Sequence, residues 1–74
     1  MTISDRQTII ETAAAEAGLD AIPTATCVVV TVAEVTTFVP MAKVLPYLAH
    51  PALVAHILRT EAEAAVVAQE EDAD

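Results

Sequence analysis

The sequence predicts a small α+β domain, and three stretches of it carry that prediction. Residues 4–18 place apolar side chains at helical spacing and end at the only glycine of the chain. Residues 26–32, TCVVVTV, are dominated by β-branched side chains, which favour strands. Residues 51–69 again carry an apolar stripe at helical spacing. We therefore expect an N-terminal helix, a valine-rich strand or two-stranded hairpin, short helices separated by prolines, and a long C-terminal helix.

The N-terminal helix has a start signal and a stop signal. Ser4 is the expected N-cap, with Gln7 three residues later completing a capping box. Gly18 can adopt the left-handed conformation that commonly ends a helix. The next residues, LDAIPTA, are expected to form a loop, because Pro23 restricts the residue before it and no helical stripe continues.

The segment after the first strand has two interpretations. If Ala33 and Glu34 form a turn, residues 35–39 make a second strand, although this turn lacks the Gly, Asn or Asp that two-residue hairpins prefer. Alternatively, Thr31 caps a short helix with Val35 and Phe38 on one face. The abundance of valine and threonine favours the strand.

Three prolines divide the rest of the chain. They predict one short helical turn after Pro40, another after Pro46, and a long final helix with Pro51 at its first position. The end of the chain, QEEDAD, places several carboxylates at the negative end of the helix dipole. We expect one domain over residues 1–69 and a frayed acidic tail over residues 70–74.

Composition points to a partner protein. The 74 residues are 55% hydrophobic with a mean hydropathy of +0.56, and between residues 21 and 58 the only charged side chains are Glu34 and Lys43. The strand also carries apolar side chains on both faces, more than a chain of this size can cover by itself. We expect another chain, a copy of this one or a different protein, to complete the sheet. The predicted interface residues are Val28, Val30, Val32, Phe38, Leu45, Tyr47, Leu53 and Ile57.

No residue pattern indicates an enzyme, a metal site or a cofactor. One glycine is too few for a phosphate-binding or dinucleotide-binding loop. His50 and His56 are not at the spacing that places two ligands on one helical face, and Cys27 is the single cysteine. We expect Cys27 to be a buried structural thiol and the protein to be non-enzymatic.

We expect no direct binding to nucleic acid, and the sequence also argues against a membrane partner. Three basic residues and a net charge of −8 repel phosphate. Charges and prolines interrupt every apolar run that could cross a bilayer. A lone cysteine suits the reducing cytoplasm, and an alanine-rich, lysine-poor composition is typical of GC-rich prokaryotic or viral genomes, so we expect the cytoplasm or a viral particle.

Two functions remain open. The first is a structural or assembly subunit that acts through an apolar interface, as a homo-oligomer or within a larger complex. The second is a small acidic inhibitor that presents carboxylates in place of phosphates to a basic surface. The acidic surface would comprise Glu61, Glu63, Glu70 and Glu71. The apolar middle of the chain, with carboxylates gathered at its ends, favours assembly.

Overall fold

The computed structural model describes residues 2–72 and confirms an α+β fold. The elements in chain order are α1 (Ile3–Glu16), β1 (Asp20–Pro23), β2 (Cys27–Val32), β3 (Val35–Pro40), α2 (Met41–Val44), a 3₁₀ turn (Leu45–Tyr47) and α3 (Pro51–Asp72). The short helical turns lie after Pro40 and around Pro46, and Pro51 opens the long helix, as the prolines predict.

Helix α1 begins two residues earlier than the sequence suggests. The N-cap is Thr2, whose hydroxyl accepts a hydrogen bond from the backbone N–H of Asp5 at 3.1 Å, while the Asp5 carboxylate accepts from the N–H of Thr2 at 3.2 Å. This reciprocal pair is a capping box. The prediction of Ser4 as N-cap is therefore wrong, because Thr2 and Asp5 satisfy the first free N–H groups.

The other end of α1 agrees with the prediction. Gly18 has a φ of 73°, its N–H donates to the Ala15 carbonyl, and the N–H of Leu19 donates to the Ala14 carbonyl at 2.8 Å. These two bonds form a Schellman motif, which ends the helix. Arg59 on α3 donates from Nη2 to the Ala17 carbonyl at 2.7 Å and so ties the two helices together.

The three strands form one antiparallel sheet in the order β1-β2-β3. Strand β1 was expected to be a loop, and that prediction is wrong: Asp20 pairs with Thr31 and Pro23 with Val28. A proline is compatible with a sheet when it lies on an edge strand, where its missing N–H is not needed by a neighbour. The chain therefore supplies a third strand of its own.

The hairpin interpretation of residues 33–39 is confirmed. Strands β2 and β3 pair from Val32 with Val35 to Cys27 with Pro40, joined by Ala33 and Glu34. Both turn residues have positive φ, 51° and 67°, the conformation of a type I′ turn. The twist of the paired strands thus imposes a backbone that neither residue favours.

Helices α1 and α3 cover one face of the sheet. Helix α1 lies over β1, and α3 packs against β2, β3 and α1. The buried apolar side chains of the core are Ile10, Ala13, Ala14, Val28, Val30, Val39, Met41, Val44, Leu48, Val54, Leu58 and Ala62.

Helix α3 continues into the segment expected to be a frayed tail. Glu70, Glu71 and Asp72 are helical, whereas residues 73 and 74 lie outside the described part of the chain. From Val67 to Glu71 every side chain is exposed. The last turns of α3 therefore project beyond the core.

Candidate protein-interaction surface

The two faces of β2 have different surroundings. Val28 and Val30 are 0% exposed because α1 and α3 pack over them, and Val32 packs against the edge of the same core. Two of the predicted interface residues, Val28 and Val30, are thus corrected to core residues that a partner cannot reach in this conformation. Val28, Val30 and Val32 of β2 are therefore packed against side chains of the same chain.

The opposite side of the sheet, here called the outer face, is not covered by any described element. It is built from alternate residues of the three strands: Asp20, Ile22, Cys27, Val29, Thr31, Thr36, Phe38 and Pro40. Only Asp20 among these is charged, and it lies at one corner. The outer face is therefore a neutral surface on a chain of net charge −8.

A row of three apolar side chains crosses the middle of the outer face. Val29 is opposite Ile22 on one side and opposite Phe38 on the other. Ile22 is 62% exposed and Phe38 is 67% exposed, while Val29 between them is half-buried. Side chains directly opposite on neighbouring strands are in contact range, so the three form one continuous apolar strip.

The other predicted interface residues do not join this strip. Leu45 and Ile57 are half-buried and pack against the core. Tyr47 and Leu53 are partly exposed but lie on the 3₁₀ turn and on α3. Phe38 is the only predicted interface residue on the outer face.

Cys27 lies on the outer face and is half-buried rather than fully buried. Its Sγ is 3.4 Å from the Thr24 hydroxyl, which also contacts the backbone of Cys27 at its N–H, at 3.1 Å, and at its carbonyl, at 2.9 Å. These contacts close the turn between β1 and β2. Cys27 therefore lies beside the strip. The reactivity of its thiol can show whether a partner covers the outer face.

The acidic residues are spread along α3. Glu61 forms an ion pair with Lys43, with 2.8 Å between Nζ and Oε1, which places this carboxylate beside a cation. Glu63, Glu70 and Glu71 are exposed. Both histidines are exposed as well, and within residues 2–72 no three His, Cys, Asp or Glu side chains gather in a group that could hold a metal ion.

Two members of the strip, Ile22 and Val29, are absent from the predicted interface. Ile22 was missed because its segment was expected to be a loop. Val29 could have been found from the alternation of β2, since it faces away from the buried valines.

Comparison with known proteins adds no functional information: no protein-family model, no curated protein and no solved structure matches this chain. Among the helices of residues 2–72, none has both the length and the apolar content needed to cross a membrane.

Proposed function

We propose that this chain is a non-enzymatic assembly subunit that associates with copies of itself through the outer face of its sheet. The observation that carries this proposal is the strip of Ile22, Val29 and Phe38, which exposes two large apolar side chains side by side. Contiguous exposed apolar surface of this kind marks interaction sites.

The neutral outer face is compatible with a second copy as the partner. Two chains of net charge −8 repel each other at long range, and they associate best where no carboxylates face each other. The outer face meets this condition, since its one carboxylate is at a corner. Two such sheets can pack face to face about 10 Å apart, with the strips of both copies in contact.

The test compares two isoleucines in different places. Ile22→Lys puts a charge in the strip, and Ile3→Lys makes the same change at an α1 residue that is 57% exposed. Both positions are exposed, so both variants should fold. We expect Ile22→Lys to lower the particle mass measured by sedimentation or light scattering, and Ile3→Lys to leave it unchanged.

Thermal unfolding gives a second measurement. If folding and association are coupled, the unfolding midpoint of the wild-type chain rises with protein concentration. A folded wild-type monomer at micromolar concentration, with a midpoint that dilution does not change, would overturn the proposal.

The acidic inhibitor is the second candidate. Its support is the exposure of Glu63, Glu70 and Glu71 on a helix that projects beyond the core. These carboxylates could meet a basic surface without any rearrangement of the fold. The alternative predicts binding that salt weakens steeply and that does not require the strip.

A further inference from the structure

We draw no further inference here: the strongest candidate, the open groove between α1 and α3 that is lined by small side chains and rimmed by Glu16, His56 and Arg59, carries nothing, because these three polar side chains are exposed, Arg59 is already accounted for by its hydrogen bond to the Ala17 carbonyl, and nothing in the structure shows what occupies the groove.

Discussion

Val29 and Val30 are adjacent in sequence, yet Val30 is 0% exposed beneath the helices while Val29 lies half-buried in the strip on the outer face. This relationship follows from the pleat of β2, which sends successive side chains to opposite faces. It divides the valine run into a part that holds the fold together and a part that faces outward.

The same substitution should therefore have different effects at the two positions. Val30→Glu buries a carboxylate without a partner, which costs about 3 kcal/mol or more, a large share of the stability of a small domain. Val29→Glu leaves its carboxylate at the surface. We expect circular dichroism to show that the Val30→Glu chain is unfolded and that the Val29→Glu chain is folded. Sedimentation should show that the Val29→Glu chain no longer associates.

A folded, associated Val30→Glu protein would contradict the packing described here. Val29→Ala serves as the control for the second variant, because it shortens the side chain without adding charge.

The start of α1 gives a prediction that distinguishes the observed cap from the expected one. Thr2→Ala removes the hydroxyl that accepts from Asp5 and should destabilise the protein by about 1 kcal/mol. Ser4→Ala should change the free energy of unfolding by less than about 0.5 kcal/mol, since Ser4 is exposed and is not the N-cap. Chemical denaturation of both variants measures their free energies of unfolding. A larger loss of stability for Ser4→Ala than for Thr2→Ala would support Ser4 as the N-cap.

The β2–β3 turn offers a way to stabilise the protein. Replacing Ala33 and Glu34 by Asn and Gly supplies residues that tolerate the observed positive φ values, and we expect a gain of about 1 kcal/mol. For a domain of this size that corresponds to a rise of roughly 4–8 °C in Tm. Glu34→Gln separates the loss of charge from the backbone effect.

Ala25→Gly is the matched control for this turn. Ala25 does not have a positive φ, so glycine there should lower stability by about 0.5 kcal/mol. Equal effects of glycine in the two turns would mean that the positive φ values carry no strain.

How far the sequence predicts this fold depends on whether the signal is local. Gly18, the valine-rich strand and the prolines act through their own backbone preferences, and the corresponding elements appear where expected. Strand β1 could not be predicted in this way, because an edge strand of four residues exists only through its pairing with β2. The turn at Ala33 and Glu34 is likewise imposed by the strands on either side of it.

The candidate site was predicted less well than the fold, for the same reason. The sequence indicates that the valine strand has two apolar faces, but which face the helices cover is decided by tertiary packing. Phe38, one of the predicted interface residues, is exposed on the outer face, and its contact with a partner stays a prediction. Ile22 belongs to the strip because β1 is a strand that pairs with β2, which the sequence does not predict.

The projecting end of α3 should be dispensable for folding. Deleting residues 70–74 removes no side chain that the structure shows to be buried, so the free energy of unfolding should change by less than about 0.5 kcal/mol. Truncation after Ala64 also removes the half-buried Ala65 and Val66 and should be clearly destabilising. If the shorter deletion abolishes association while the fold persists, the acidic end is a docking element.

Charge reversal on α3 decides between the two candidate functions. Glu63 and Glu70 are both exposed, so changing them together to lysine should leave the fold and the self-association through the sheet intact. An acidic inhibitor predicts the opposite for function, since the lysines would repel a basic partner and abolish its binding. Three quantities are measured for the double lysine variant and for Ile22→Lys: the particle mass, the midpoint of thermal unfolding and the binding to a polycation column. Assembly that survives the lysine pair but is lost in Ile22→Lys supports the assembly subunit. An assembly unaffected by Ile22→Lys, together with salt-sensitive binding to a basic protein that the lysine pair abolishes, would establish the inhibitor instead.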